Sequence, residues 1–185
     1  PLHTVEEYKR FVGNGIPRLV ERFAPAPERT PEGLARALEE FSERYGAHRA
    51  DKTAPYAGMP EAVERLRAAG VRTAVLSNKA HALAGPVVED YYPGQFPWVQ
   101  GALPGLPTKP DPTLLHRLME QMGASPEDTL FVGDSDVDIR TARNGGLTSC
   151  GVLWGFRSRQ ELEAEGADYL AETPAELIKV VLGDG

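Results

Sequence analysis

Residues 129–146 read TLFVGDSDVDIRTARNGG, and this stretch predicts a short strand that passes directly into a helix. The apolar run at its start is typical of a strand, and residues 135–146 are typical of a helix that closes on glycine. Three carboxylates crowd the junction, those of Asp134, Asp136 and Asp138. A strand that leads into a helix is the repeating unit of parallel α/β folds.

The same alternation extends over the whole chain from Met59 onward. In chain order the pattern predicts a helix in PEAVERLRAAG, a strand in VRTAVLSN, a helix in KAHALAGPVVEDYY, a strand in PWVQGA, a helix in TLLHRLMEQMG, the strand and helix above, a strand in LTSCGVLWG, a helix in RSRQELEAEG, a strand in ADYLAE and a last helix from Pro174. We therefore predict an α/β fold, with a parallel sheet that carries helices on both faces. Ligands of such sheets bind beyond the carboxyl ends of the strands.

The first 54 residues show helical patterns only. Thr4 is placed to cap a first helix, IPRLVERFA predicts a second, and Thr30 caps a third that begins at Pro31. We predict two domains: a helical module at 1–54 and an α/β core at 55–185.

Composition describes an ordinary globular protein and excludes several classes of partner. The 185 residues carry a net charge of -7 without a long lysine or arginine run, which argues against binding nucleic acid or an anionic membrane. No apolar stretch approaches the roughly 20 residues that a membrane helix needs. The lone Cys150 cannot form an internal disulfide and is expected in the core. We expect a cytoplasmic protein with a small-molecule partner, and the sequence leaves the oligomeric state open.

Polar side chains follow three of the predicted strands. Ser77 and Asn78 follow TAVL, Lys109 lies in PTKPDP after WVQGA, and Asp134 follows TLFVG. Each has an ordinary structural alternative, since Ser77 can cap the next helix and Lys109 can be a solvated loop lysine. A serine hydroxyl at a strand end can also donate to a phosphoryl oxygen, and the prolines beside Lys109 restrict its backbone and aim its side chain.

Helix capping explains only part of the acidic cluster. Asp134 can cap the helix, and Asp136 and Asp138 can complement its positive end. If the helix starts near Ser135, Asp138 lies one turn beyond Asp134 on the same face, while Asp136 is rotated toward solvent. Neighbouring carboxylates repel and are relieved by a proton or a cation, and oxygen ligands open to water suit Mg²⁺. We predict Asp134 as a Mg²⁺ ligand and Asp138 as a second, water-mediated partner.

This set of elements, in this order, resembles the haloacid dehalogenase superfamily in its phosphoglycolate phosphatase-like branch. LSNK is similar to the second family motif, KPDP to the third and VGDSDVD to the fourth. The resemblance implies a Mg²⁺-dependent phosphatase of a small phosphorylated metabolite, with 2-phosphoglycolate as the first candidate. Ser77, with Asn78 beside it, would bind the phosphoryl oxygens, Lys109 would offset charge on nucleophile and phosphate, and Asp134 would hold Mg²⁺.

The resemblance also assigns a role to the N-terminal helices. In that family the helices ahead of the core form a cap over the active site, and RFVGNGIPRLVER resembles the cap stretch that faces the substrate. Asn14 and Arg18 would then touch the leaving part of the substrate. A helix-breaking turn over residues 13–15 is the equally open structural alternative.

One family motif has no counterpart in the chain. Members of the family begin with a strand ending in DxDGTL, whose first Asp attacks phosphorus and whose second Asp acts as general acid and base. That strand is central in the family sheet, between the strands that end at Ser77 and Asp134. We therefore expect a sheet that lacks its first strand and is split there, with unpaired edges, and we expect the chain alone to be inactive.

Other functions stay open. A sugar phosphomutase would share most of these motifs, although its metal motif often carries Glu-Asp where this chain has Gly133-Asp134. A catalytically dead domain that kept a phosphate pocket is the alternative from a different class. A dehalogenase needs no Mg²⁺, so the carboxylate cluster argues against that reaction.

Overall fold

The computed structural model describes residues 3–183 and divides into two compact units, Pro1–Ala54 and Pro55–Gly185. The first unit is helical and the second contains both helices and strands. Within the described range, no helix has both the length and the apolar composition that crossing a membrane requires.

The first unit is built from short helices with the predicted caps. In its described residues it contains α1 (Val5–Phe11), α2 (Ile16–Phe23), a 3₁₀ turn (Ala26–Glu28) and α3 (Pro31–His48). Thr4 and Glu7 form a capping box at the start of α1. At the start of α3, the Thr30 hydroxyl accepts a hydrogen bond from the Gly33 N–H at 3.1 Å. The predicted caps at Thr4 and Thr30 are confirmed.

The second unit alternates helices and strands, as the sequence predicts. Its elements are α4 (Met59–Ala68), β1 (Ala74–Ala80), α5 (His81–Tyr91), β2 (Trp98–Ala102), α6 (Thr113–Met122), β3 (Leu130–Gly133), α7 (Asp136–Gly145), β4 (Thr148–Val152), α8 (Arg159–Ala164), β5 (Tyr169–Ala171) and α9 (Pro174–Leu182). The predicted α/β class is confirmed.

The strands form two parallel sheets. β1 pairs with β2, and β3, β4 and β5 form a second sheet in that order, with every pairing parallel. Among residues 3–183, β1 and β3 each have a strand partner on one side only. The Val132 side chain of β3 is 40% exposed, whereas the β4 residues Cys150 and Val152 are buried. The sheet is therefore split between β1 and β3, where the first family strand was expected.

One apolar cluster contacts both sheets. Leu115 and Met119 of α6 are buried with Ala142 of α7, and Leu76 of β1 and Phe131 of β3 pack against them. Through this cluster, β1 and β3 pack against the same pair of helices.

Cys150 is fully buried in β4, the middle strand of the second sheet, and this burial raises the pKa of its thiol from 9.0 to about 11. Since the folded pKa lies above the unfolded value, the buried thiol favours folding below pH 9.0, and that contribution is lost as pH rises toward 11.

We expect iodoacetamide to alkylate Cys150 at pH 8 only in denaturant, because the thiolate is the reactive form and burial disfavours it. Mass spectrometry measures the extent of alkylation. Rapid alkylation of the folded chain would contradict this burial.

Candidate active site

Lys109, in the loop after β2, is a largely buried lysine whose ammonium reaches β1. Its side chain is 13% exposed. The ammonium donates to the Leu76 carbonyl of β1 at 3.1 Å and to Asp138 Oδ1 of α7 at 2.7 Å. It therefore joins β1 to α7, the helix that follows β3. A solvated loop lysine, the alternative left open by the sequence, does not describe this side chain.

Asn78 holds the backbone of Lys109 through two hydrogen bonds. Its Oδ1 accepts from the Lys109 N–H at 2.9 Å, and its Nδ2 donates to the Lys109 carbonyl at 3.1 Å. This two-point contact restrains the loop after β2 against the end of β1. The sequence predicts Asn78 as a catalytic residue beside Ser77, and that role stays a prediction; in the structure Asn78 supports the backbone of Lys109.

Asp138 is saturated with hydrogen bonds and is 9% exposed. Its Oδ2 accepts from the Ser135 hydroxyl at 2.6 Å and from the backbone N–H groups of Ser135 and Asp134 at 3.1 and 3.2 Å. Its Oδ1 accepts from Lys109. Gly133 allows this close approach, since a Cβ there would lie 2.2 Å from the Asp138 Cβ. Asp138 thus connects the turn between β3 and α7 to the lysine.

Asp134 is the carboxylate of the cluster whose pKa is raised above its ordinary value. Burial, and next the charge of Asp138, raise its pKa, while the Phe156 N–H and the Lys109 charge lower it without cancelling the rise. The Phe156 N–H donates to Asp134 Oδ2 at 3.1 Å, and Oδ1 accepts no hydrogen bond from another described residue. A carboxylate in this state is stabilised by a proton or by a bound cation.

The donor set around Asp134 fits Mg²⁺ better than a metal that needs a full protein cage. Mg²⁺ binds through one or two carboxylates, keeps several waters and takes oxygens from substrate phosphate. In the described part of the chain, no group of three or more His, Cys, Asp or Glu side chains is placed to hold a metal ion. Asp134 would hold the ion directly. Asp138, whose oxygens already accept four hydrogen bonds, stays a predicted partner through water.

Ser77 lies inside β1 rather than after it. The strand continues to Ala80, and its pairing with β2 is irregular between Leu76 and Ala80. The Ser77 hydroxyl accepts from the Lys79 N–H at 3.1 Å, and α5 has Ala80 as its N-cap without a side-chain cap. Helix capping, the structural alternative for Ser77, is therefore wrong, and its phosphate-binding role stays a prediction.

Two expectations for the acidic cluster are corrected. The N-cap of α7 is Ser135 and not Asp134, since Ser135 forms the capping box with Asp138. Asp136 does not point freely into solvent: it accepts from Arg140 at 2.9 Å and from the Arg157 Nε at 3.1 Å. Helical spacing separates Asp136 from Asp134, but it carries no information about Arg157, which lies in a distant loop.

The two candidate substrate contacts lie in the first unit and make local interactions there. Asn14 Oδ1 accepts from Arg22 Nη2 at 2.8 Å, and Arg22 also donates to the Phe11 carbonyl at 2.8 Å. Arg18 is exposed and pairs with Glu21 at 2.6 Å. Asn14 thus helps to fix the turn between α1 and α2, and its contact with substrate, like that of Arg18, stays a prediction.

Sequence reasoning missed the segment that follows β4. Phe156 and Arg157 reach Asp134 through backbone N–H groups, and the Arg157 side chain reaches Asp136. The sequence signal for this segment was weak, because backbone donors carry no residue signature. Gly155, which lets the segment approach Asp134 closely, is one of 19 glycines in the chain.

The chain belongs to the haloacid dehalogenase-like hydrolase family, whose model matches residues 2–146. The match runs from the helical unit to the end of α7 and contains Ser77, Lys109 and Asp134. The resemblance drawn from the LSNK, KPDP and VGDSDVD segments is confirmed.

Individual relatives show which members of the family this chain resembles. A phosphoglycolate phosphatase of Pseudomonas putida is 31% identical over 173 residues, which are 91% of this chain and 63% of that protein. A crystal structure from Lactobacillus delbrueckii subsp. bulgaricus, provisionally described as a phosphoglycolate phosphatase, has a TM-score of 0.89 at 31% identity over 98% of this chain and 84% of that one. CbbY of Rhodobacter sphaeroides, crystallised in complex with phosphate, has a TM-score of 0.73 at 25% identity over 94% and 80% of the two chains. The chain thus spans less than two thirds of the Pseudomonas putida relative.

Proposed function

We propose that this chain belongs to a Mg²⁺-dependent phosphomonoesterase of a small phosphorylated metabolite, with 2-phosphoglycolate as the first candidate substrate. The observation that carries the proposal is the ion pair of the largely buried Lys109 with Asp138, together with Asp134, a carboxylate whose pKa is raised by burial and by the charge of Asp138. A fixed ammonium and a carboxylate that can hold a cation together suit a phosphoryl group, because it carries negative charge on several oxygens. The phosphoglycolate phosphatase likeness of the relatives supports the substrate class.

Each residue has a distinct task in this proposal. The Ser77 hydroxyl, in β1, donates to a phosphoryl oxygen. The ammonium of Lys109, positioned through Asn78 and Asp138, offsets negative charge as the phosphoryl group is transferred. Asp134 holds the Mg²⁺, which when bound neutralises phosphoryl charge and orients the group.

The nucleophile is proposed to come from a DxDGTL strand that is not in these 185 residues. Its first Asp would attack phosphorus as the P–O bond to the substrate alcohol breaks, and the second Asp would protonate the departing oxygen. Water would then cleave the acyl phosphate, releasing inorganic phosphate and restoring the carboxylate. The free edges of β1 and β3 among residues 3–183 support a position for that strand between them.

Joining a DxDGTL strand to the front of the chain is expected to create Mg²⁺-dependent release of phosphate from 2-phosphoglycolate. The 185-residue chain alone is expected to show no turnover above background. The matched control carries the same added strand with its first Asp replaced by Asn, which keeps the strand and removes the nucleophile. Equal turnover by the 185-residue chain and the extended form would contradict the proposed source of the nucleophile.

The geometry at Gly133 weighs against the phosphomutase alternative. A side chain at this position would meet the Asp138 side chain, with a Cβ at 2.2 Å, so the Glu-Asp pattern of mutases has no room here. Hydrolysis therefore remains the preferred reaction.

A phosphate-binding domain without catalysis is the second candidate, because the chain itself lacks a DxDGTL motif. Isothermal titration of the chain with Mg²⁺ and phosphate, together with the assay above, separates the two functions. Binding without turnover in the extended form would favour the binding domain.

Cap contacts and location complete the proposal. Asn14 and Arg18 are proposed to select the substrate, and the exposed guanidinium of Arg18 suits an anionic group such as the carboxylate of 2-phosphoglycolate. We place the protein in the cytoplasm, in keeping with its acidic charge and its single, buried cysteine.

A further inference from the structure

The segment Leu153–Arg157, here called the clamp loop, makes two hydrogen bonds to Asp134, one to its side chain and one to its main chain. The Phe156 N–H donates to the Asp134 carboxylate at 3.1 Å, and the Arg157 N–H donates to the Asp134 carbonyl at 3.1 Å. The loop follows β4, which lies directly beside β3 in the parallel sheet, so both strand ends open at the same edge. Two backbone donors from one loop therefore fix both the main chain and the side chain of Asp134.

Gly155 is the residue that permits this approach. A Cβ at position 155 would lie 2.1 Å from both the Cβ and the Oδ2 of Asp134, closer than real Cβ contacts come. Gly155 does not have a positive φ, so the requirement is for space and not for an unusual backbone conformation. Any other residue must displace either the clamp loop or the carboxylate.

An ion pair anchors the clamp loop from the other side. Arg157 donates through Nε to Asp136 at 3.1 Å, and its side chain is 14% exposed. Asp136 also pairs with Arg140, which in turn holds Glu165 at 2.6 Å. Asp136 thus anchors the loop that contacts Asp134.

The Phe156 side chain contributes little to this arrangement. It is 39% exposed, while its N–H points inward to the carboxylate. The contact therefore depends on the backbone at position 156, and the side chain can be changed as a control.

We propose that the clamp loop is a positioning element for Asp134: Gly155 and the Phe156 N–H set the orientation in which this carboxylate presents Oδ1 to a divalent cation. This inference rests on the proposed cation-binding role of Asp134. Groups that orient a metal ligand by hydrogen bonding typically change metal affinity by about 10- to 100-fold when they are removed.

The test measures binding of Mn²⁺ to the 185-residue chain by paramagnetic broadening of its amide NMR signals, which detects weak as well as tight binding. Two variants disturb the clamp: Gly155→Ala inserts the Cβ, and Phe156→Pro removes the N–H. Both are expected to weaken Mn²⁺ binding by about 10-fold or more. Two matched controls, Phe156→Ala and Gly85→Ala, are expected to bind as the unsubstituted chain does, because the first keeps the N–H and a Cβ at Gly85 meets nothing within 4 Å.

The results separate the metal role of Asp134 from the positioning role of the clamp loop. Asp134→Asn is measured in parallel: if it leaves Mn²⁺ binding unchanged, the metal role of Asp134 itself fails. If Asp134→Asn removes binding while folded Gly155→Ala and Phe156→Pro bind normally, the clamp is refuted and the metal role stands. Should neither clamp variant fold while Phe156→Ala does, the loop is a determinant of folding and the positioning role is rejected.

Discussion

Replacing Lys109 with methionine is expected to lower the free energy of unfolding by about 3 kcal/mol, the cost of breaking a buried ion pair from one side. Methionine keeps the unbranched apolar stem but removes the ammonium, so the 9% exposed carboxylate of Asp138 loses its charged partner and the Leu76 carbonyl loses its donor. Urea denaturation of the chain measures this change directly, without any assay of activity.

A double-mutant cycle identifies the ion pair as the cause. Asp138→Asn keeps an acceptor for Ser135 and removes the negative charge, so the Lys109→Met change should cost at least about 1 kcal/mol less in that background. Arg159→Met is the surface control: its pairs with Glu163 and Glu172 are exposed, so this change should cost much less stability than Lys109→Met. If Lys109→Met costs no more than Arg159→Met, the structural role of the lysine is wrong.

Asp134→Asn is expected to reduce Mg²⁺-dependent phosphate release by about 10³-fold, equivalent to about 4 kcal/mol of transition-state stabilisation. The experiment uses the form extended by a DxDGTL strand. Asparagine keeps the size of the side chain and an oxygen for the Phe156 N–H, but it loses the charge that attracts the cation. Initial rates are measured over a range of Mg²⁺ concentrations.

Asp128→Asn is the matched control for this change. Asp128 is exposed just before β3, at the opposite end of the same strand, and accepts only from the Ser125 hydroxyl at 3.1 Å among the described residues. It should leave turnover unchanged. Equal rates for Asp134→Asn and the unsubstituted enzyme would refute the assignment of Asp134.

Most helices could be predicted because their start and stop signals are local. Thr4, Thr30 and Ser135 bond to N–H groups three positions along the chain, within reach of any local pattern. The start of β1 could not be predicted in the same way. The sequence placed it at Val71, but the Val71 N–H bonds to the Leu66 carbonyl and its side chain packs on the core cluster beside α4, so this residue closes the helix and the strand begins at Ala74.

The candidate site was predicted in its residues but not in its contacts. Lys109 and Asp134 stood out because they follow predicted strands, and strand ends of a parallel sheet share an edge. The partners of Lys109 lie 33 and 29 residues away, in Leu76 and Asp138. Phe156 lies 22 residues from Asp134. No spacing rule reaches across such separations.

By itself, then, the sequence determined the helices and strands, their alternation, and the short polar segments at the strand ends, since propensity, capping and periodicity act over a few neighbouring residues. Only the tertiary structure decided which of the crowded carboxylates pairs with the lysine, which pairs with the arginines, and which accepts a backbone N–H from a distant loop. Packing decides these pairings, because a charge that is removed from water is stabilised only when the fold brings a partner within hydrogen-bonding distance.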